Sequence, residues 1–307
     1  MLVLRYIGSG RYSDVFRVAW RRLAVILKVS YYRDTTLRGF SRAIRALDYA
    51  EAKRVKRTDA VVVASQMGRI ANSCIQKRVS PHFVLFYGDV DCKNFVHKIR
   101  HAIPARKMSP IQLKYNNLSF LEVFDSDLTS YLAHTRVTDA HMTSILFQIV
   151  YTLAALQKLY PGFRHNDLST NNILVKKKPF AAWYRSGHGV FYAQSPVFVA
   201  ISDYDFTHIP GRVENERIVS GQYSIDASDN PCYDTHFFLK TVGKCLAKSK
   251  CRVPGTMKFL RSVGLKSSDR PSVCVEALIP ARLLQHTFFH TLACPTPKPG
   301  VPTFSYD

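Results

Sequence analysis

The sequence predicts an α+β protein with a small β-rich N-terminal part and a larger, mainly α-helical C-terminal part. Three observations lead there. Short apolar runs cluster around the glycine-bearing stretch Gly8-Ser9-Gly10-Arg11-Tyr12-Ser13-Asp14 at the start of the chain. Ile145, Ile149, Leu153 and Leu156 recur at helical spacing between about Asp139 and Tyr160. Beyond Asn230 the pattern again reads as helix.

Element by element, residues 2–7 and 15–18 read as strands flanking the glycine stretch, and Leu23–Val29 as a third after a basic turn. From about Arg42 to Arg78 the pattern is helix-rich, broken by the charged stretch Glu51 to Asp59. Ser80-Pro81-His82 stops the helix, and Phe83–Gly88 and Ser119–Phe124 read as strands. The polar Asp125-Ser126-Asp127 then marks a boundary between residues 1–124 and 125–307. The helix at 139–160 is read as core and ends at Pro161-Gly162. Val197–Ile201 is a strand running into Asp203-Tyr204-Asp205. No internal repeat is evident, and the Pro-rich tail after Cys294 is expected to lie extended over the surface.

Composition sets the outer limits. A chain of 307 residues that is 47% hydrophobic and 12% aromatic has a sizeable core and is not a disordered polymer. Its 43 Lys+Arg against 22 Asp+Glu give a net charge of +21, which favours anionic partners such as nucleotide phosphates, acidic proteins or nucleic acid. No aromatic-basic repeat or zinc-finger spacing supports specific nucleic-acid reading. Seven scattered cysteines without a Cys-x-x-Cys pair point to reduced thiols in a reducing compartment. The N-terminus is too short for a signal sequence, and no apolar run is expected to reach membrane-spanning length. A soluble intracellular protein is the expectation.

The chemistry concentrates in four places. His165-Asn166-Asp167-Leu168-Ser169-Thr170-Asn171-Asn172 sets a carboxylate five residues before an amide and runs into an apolar strand. Phosphoryl transfer needs such a pair: a base that orients the attacking hydroxyl, and a neutral oxygen ligand for magnesium. Gly8 to Val15 fits G-x-G-x-x-[GS]-x-V, in which small residues let backbone N–H groups approach phosphates. Alone, it would equally suit a tight hairpin. Val25-Ile26-Leu27-Lys28 places one cation among aliphatics thirteen residues beyond Val15, where it can meet the α- and β-phosphates rather than merely snorkel from an edge strand. Asp203 follows an apolar strand about thirty residues after Asn172 and can bind the magnesium that bridges the β- and γ-phosphates. Asp205 reads as a solvated turn residue, with a second metal contact as the alternative.

The order of glycine loop, Val-Ile-Leu-Lys, His-Asn-Asp-Leu-x-x-x-Asn and Asp-Tyr-Asp resembles the eukaryotic-type protein kinase family from about residue 2 to about 290. The resemblance implies a bilobal kinase-like fold, with residues 1–124 as small lobe and 125–307 as large lobe. It implies ATP and Mg2+ (or Mn2+) as cofactors and protein substrates. By position it makes Asp167 the catalytic base, Lys28 the phosphate-binding lysine, and Asn172 and Asp203 the metal ligands. Nucleotide binding falls to Ile7, Gly8, Ser9, Gly10, Ser13, Val15 and Lys28, with Leu121 as gatekeeper and the backbone of Glu122 and Phe124 gripping adenine. Tyr233-Asp234 looks like the family's buried aspartate that steadies the catalytic loop. Val79–Val84, Asn166, Asp-Tyr-Asp and Ile279–Phe289 are similar to the divergent serine/threonine kinases of large DNA viruses. That likeness implies a viral protein of the host cytoplasm or nucleus, able to be packaged in the virion.

Five departures from the family pattern stand out. Asn166 replaces an arginine that pairs with a phosphorylated activation loop, so activity is expected not to need that modification. Ser169 replaces a lysine, and Asp205 replaces the glycine of Asp-Phe-Gly. The helix expected near Ala60–Ile70 has no glutamate for Lys28; Asp59, Gln66 and the more distant Glu51 are the nearest candidates. No clear Ala-Pro-Glu closes the activation segment at about Thr207 to Asn230. Two other readings compete: a small-molecule phosphotransferase of aminoglycoside or choline kinase type, and a nucleotide-binding scaffold without turnover. The basic surface would associate with viral DNA or acidic proteins.

Overall fold

The two faces of the third strand decide how the N-terminal part is built. Leu27, Val29 and Tyr31 are buried on one side of the sheet, and Lys28 falls on the other. The computed structural model describes residues 2–10, 12–20, 23–103, 108–221, 225, 229–265, 274–294 and 300–306. Strands β1 (Leu2–Ser9), β2 (Ser13–Trp20) and β3 (Leu23–Tyr31) form an antiparallel meander. Helices α1 (Asp34–Arg45), α2 (Tyr49–Arg57) and α3 (Ala60–Gln76) follow. Next come β4 (Phe86–Lys93), the short helices α4 (Phe95–Ile99) and α5 (Pro110–Lys114), and β5 (Tyr115–Leu121). The sheet order is β1-β2-β3-β5-β4, entirely antiparallel. Its inner face packs Phe16, Leu27, Val29, Tyr31 and Leu118 against Val96 and Ile99 of α4.

Asp59 starts α3. Its buried carboxylate accepts from the Val61 N–H at 3.0 Å and from the Thr36 hydroxyl at 2.7 Å, tying α3 to α1. The apolar side of α3 (Val63, Met67, Ile70, Ala71, Cys74) joins the large core of the C-terminal part instead of the core of the sheet. Gly68 is the close-contact point with β4, since a Cβ there would lie 2.7 Å from the Phe86 ring.

The C-terminal part continues with β6 (Ser126–Asp127), α6 (Leu128–His134) and α7 (Asp139–Leu159). Positions 142–156 of α7 are all buried, which makes it the axis of the large core. By length and composition α7 could cross a membrane, contrary to the sequence expectation, but 83% of that window is buried inside the protein. After it come β7 (Ile173–Lys176), the hairpin of β8 (Phe180–Ser186) and β9 (Gly189–Ser195), and β10 (Phe198–Ile201). Helices α8 (Glu216–Val219), α9 (Tyr233–Lys248), α10 (Pro254–Ser262) and α11 (Pro280–Leu283) precede β11 (Thr303–Ser305). Two small sheets result, β10-β7-β6 and β11-β8-β9. His82 braces both: its Nδ1 lies 2.8 Å from the Val199 carbonyl and its Nε2 2.6 Å from the Tyr184 hydroxyl. Burial pushes its pKa down to about 3, so the ring is neutral.

Several boundaries differ from the sequence expectation. The charged stretch after Glu51 does not break a helix; it is most of α2, whose exposed face carries Lys53, Arg54 and Arg57 while Ala52 is buried. The expected strand at 83–88 begins only at Phe86, and Phe83 makes an isolated bridge to Ile201. The β8–β9 hairpin was not anticipated. Of the C-terminal tail, 295–299 lie outside the described residues, but β11 pairs in parallel with β8, and Phe304 and Tyr306 are buried. That end of the chain is therefore structural, not a surface strap.

Candidate active site

Sheet register brings the first half of the site together. Gly8 stands opposite Val15, Val15 opposite Lys28, and Lys28 opposite Ser119 on β5. Ile7 sits at a register shift in β1, and the Gly10 N–H closes the turn onto the Ser13 carbonyl at 2.9 Å. Gly8 and Gly10 have no left-handed φ, and a Cβ on Gly8 would meet no protein atom within 4 Å. Neither backbone strain nor internal packing therefore demands glycine at position 8. Close approach by a ligand would.

Leu121 ends β5 opposite Ile26 and Phe86. The Glu122 N–H donates to the Leu85 carbonyl at 3.0 Å, and its side chain pairs with Lys176. The Phe124 ring has Lys176 Nζ 5.0 Å from its centre and stacks at 6.2 Å on Phe198. Leu121, Glu122 and Phe124 thus lie along the connection from the large sheet to β6.

The residues of the 165–172 loop hang from the large core. Asp234, in the first turn of α9 and buried, accepts from the backbone N–H of His165 (2.7 Å) and of Asn166 (2.8 Å). Burial pushes its carboxyl up despite those bonds. Asn166 adopts φ 67°, a left-handed conformation that asparagine tolerates better than most residues. Its amide oxygen accepts from Arg164 Nε at 2.7 Å, and its Nδ2 donates to the Phe206 carbonyl at 2.9 Å. The residue in the arginine's place thus ties the catalytic loop to the segment after Asp205. Asn172 Nδ2 donates to the Asp167 carbonyl (2.7 Å) and to Asp167 Oδ2 (3.1 Å), fixing the carboxylate–amide pair.

Strand pairing supplies the rest. Ile173 of β7 faces Ile201 of β10, and the Ser202 N–H donates to the Asn172 carbonyl at 2.9 Å, so Asn172 and Asp203 emerge side by side. Asp203 has φ 63° and a side chain still 44% exposed. With Asn172 Nδ2 spent on Asp167, its amide oxygen and the Asp203 carboxylate make a hard, all-oxygen pair of the kind magnesium takes. They fit that ion, which would fill its remaining positions with water and phosphate oxygens. Among the described residues no cluster of three or more His, Cys, Asp or Glu forms a fuller protein cage.

Lys28 joins the two halves. Its Nζ lies 2.7 Å from Asp203 Oδ1 and 2.8 Å from Asp205 Oδ1. Burial works to lower the lysine pKa, but the two carboxylates outweigh it and raise it, keeping the ammonium charged. Burial would likewise raise Asp203, yet the Lys28 charge holds it below the usual carboxylate range. Asp205 goes the other way: burial first, then the neighbouring Asp203, push it up against the pull of Lys28.

Two expectations are corrected here. Asp205 is no solvated turn residue; its side chain is 14% exposed and engaged with Lys28. Nor does Lys28 lack an acid. Asp59 caps α3, Glu51 pairs with Arg54, and Gln66 lines a separate basic cavity of about 550 Å³ with Lys53, Arg57, Arg69 and Arg212. Sequence reasoning also missed Arg217. It is buried on α8, with its guanidinium 3.9 Å from the centre of the Tyr12 ring in the glycine loop and 5.6 Å from that of Phe206. No local spacing could have flagged a contact across that distance in the chain.

Comparison with known proteins finds similarity to viral protein kinases. The model of the poxvirus serine/threonine protein kinase family matches residues 109–253, which span Leu121, Asp167, Asn172, Asp203 and Asp234 but not the glycine loop or Lys28. A "putative serine/threonine-protein kinase" of Acanthamoeba polyphaga mimivirus is 29% identical over 272 residues, covering 78% of this chain and 55% of the relative. Another from the same virus, described in the same words, is 30% identical over 103 residues, 32% of this chain and 25% of the relative. The chain thus spans little more than half the length of the first. The resemblance to the serine/threonine kinases of large DNA viruses therefore stands on sequence similarity as well as on motifs.

Proposed function

We propose that this chain is a protein kinase that transfers the γ-phosphate of Mg-ATP to serine or threonine hydroxyls of protein substrates. The observation that carries the reading is the convergence of Lys28 on β3, Asp203 just after β10 and the hydrogen-bonded Asp167–Asn172 pair just before β7 onto a single site. In the proposed arrangement residues 1–124 form the small lobe and 125–307 the large one. The small lobe lays the backbone of Gly8 and Gly10 over the phosphates. Lys28 neutralises charge on the α- and β-phosphates, and the Glu122 carbonyl with the Phe124 backbone holds adenine beneath Leu121. Asp167 Oδ2, fixed by Asn172, accepts the hydrogen bond of the substrate hydroxyl and takes its proton as the oxygen attacks phosphorus. Asn172 and Asp203 would hold the magnesium, which when bound neutralises charge building on the transferring phosphate. Lys28 and the glycine-loop amides act on the same charge.

Asn166 supports activity without phosphorylation of the activation segment, because its amide Nδ2 already makes the tie to Phe206 through a neutral hydrogen bond. The +21 charge favours acidic proteins or viral DNA as partners, and Lys53, Arg57 and Arg212 line the cavity beside the Arg69–Asp89 and Lys56–Asp91 pairs. Seven free thiols suit an intracellular setting, in host cell or virion.

The test is incorporation of γ-phosphate from Mg-ATP into the protein itself and into casein, histone and myelin basic protein. Wild type is compared with Asp167→Ala. Loss of the base is expected to lower the rate by roughly 10²- to 10⁴-fold, with label on serine or threonine. Equal labelling by both proteins, or none by wild type, would overturn the reading.

A further inference from the structure

We propose that Asp205 is the positioning residue for Lys28, taking the place of the helix-borne acid that the kinase pattern expects and α3 lacks. The inference rests on the phosphotransferase reading for its consequence, but on geometry for its content.

Elimination comes first. Helix α3 (AVVVASQMGRIANSCIQ) contains no acidic residue. The acids around it are occupied. Asp59 binds Thr36, Arg33 and the α3 N-terminus, Asp48 caps α2, and Glu51 pairs with Arg54. On β4, Asp89 pairs with Arg69 and Asp91 with Lys56. Asp14 accepts from the Tyr31 hydroxyl at 2.6 Å.

The two acids that do reach Lys28 are not equivalent. Asp203 is exposed enough to take an outside ligand, at 44%, whereas the side chain of Asp205 is 14% exposed. Asp205 is also held from behind. Asn215, fully buried, donates its Nδ2 to the Asp205 carbonyl at 2.9 Å, and the next carbonyl, of Phe206, is taken by Asn166. Asp205 has no left-handed φ, so a side chain in place of the usual glycine adds no backbone strain. When Asp203 turns to the metal, Asp205 keeps the ammonium of Lys28 in place.

The consequence is a change of wiring. An acid on a helix makes the lysine's orientation depend on where that helix sits. Here α3 is fixed in the large core by Met67, Ile70, Ala71 and Cys74, while Gly68 lies against Phe86 of β4. Lys28 answers instead to the turn that carries the metal ligand. Assembly of the phosphate site and of the metal site is then a single event.

A double-mutant cycle tests this: Asp205→Asn, Lys28→Met and the pair, with Asp205→Glu as the conservative variant. Readouts are kcat and KM for Mg-ATP, the Mg2+ concentration for half-maximal activity, and the Kd of N-methylanthraniloyl-ATP. Asp205→Asn is expected to lower kcat/KM by roughly 10- to 100-fold through misplacement of Lys28. It should change nothing further in the Lys28→Met background, and Asp205→Glu should recover part of the loss. Additive losses, or a raised Mg2+ requirement that persists without Lys28, would make Asp205 an independent metal ligand and overturn the proposal. A wild-type rate in Asp205→Asn would overturn it equally. If wild type transfers no phosphate, the same cycle is read from nucleotide binding. Non-additive weakening there keeps the pairing and discards only the kinase reading. Should Asp205→Asn melt early, the binding cycle is repeated with Asp205→Glu, whose coupling to Lys28 must again be non-additive.

Discussion

The sheet core and the α7 core do the same job on different scales, and the site spans both. Phe16, Leu27, Val29, Tyr31, Val96, Ile99 and Leu118 support the glycine loop and Lys28. Under the 165–172 loop lies a far larger apolar mass, with α7 buried along positions 142–156, α3 docked onto it, and rings such as Phe147, Tyr151 and Tyr184 packed against one another within it. Residues that set geometry, Asp167 and Asn172, ride on the thick core. Those that would approach a nucleotide in the proposed function, Gly8, Gly10 and Lys28, ride on the thin one, where local opening costs less.

The strongest way to break that comparison is to cut each core in turn. Phe147→Ala removes a ring in contact with Tyr151, Tyr184, Phe191 and Phe289, and should cost about 3–5 kcal/mol of global stability in urea unfolding. Phe16→Ala should act locally: amide exchange in β1–β3 accelerates while α7 stays protected. Uniform acceleration in both variants would mean the two cores unfold as one.

Next in size is Asp234→Ala, which strands the buried N–H groups of His165 and Asn166. It should cost about 2–4 kcal/mol and lower kcat more than it changes nucleotide affinity. A pure affinity loss would contradict the division between the cores.

His82 gives a third, smaller handle. The folded ring titrates near 3 and the unfolded one near 6.5, so between those values the unfolded chain binds the extra proton. Its contribution is complete above pH 6.5 and is lost as pH falls toward 3. From pH 7 to pH 5 this group should remove about 2 kcal/mol. In His82→Gln the same pH step should cost correspondingly less, as urea melts at the two pH values will show.

Smallest is Glu51→Ala. The exposed pair with Arg54 touches neither core, so melting temperature and nucleotide Kd should be unchanged. A weakened Kd would revive Glu51 as a partner of Lys28.

Much of the site could be read directly from local spacing. Five residues from Asp167 to Asn172 suffice for the amide to bond the carboxylate, and the period of two along β3 puts Lys28 on the face away from Leu27 and Val29. The 3.6 period likewise revealed α7. The α2 boundary was misread because a charged run looks like a loop unless its small buried face, here Ala52, is weighed.

What the sequence determined alone is an inventory and its order: Gly8 to Gly10, Lys28, Asp167, Asn172 and Asp203, with the Asp167–Asn172 bond formed within one turn. What only the tertiary structure decided is who meets whom. The carboxylates of Lys28 lie 175 and 177 residues downstream. Helix α3 chose the large core, Arg217 found Tyr12, and β11 returned to β8. Such pairings leave no periodicity in the chain. They are selected by burial and charge balance summed over the folded molecule, where a buried ammonium without a carboxylate would be too costly to keep.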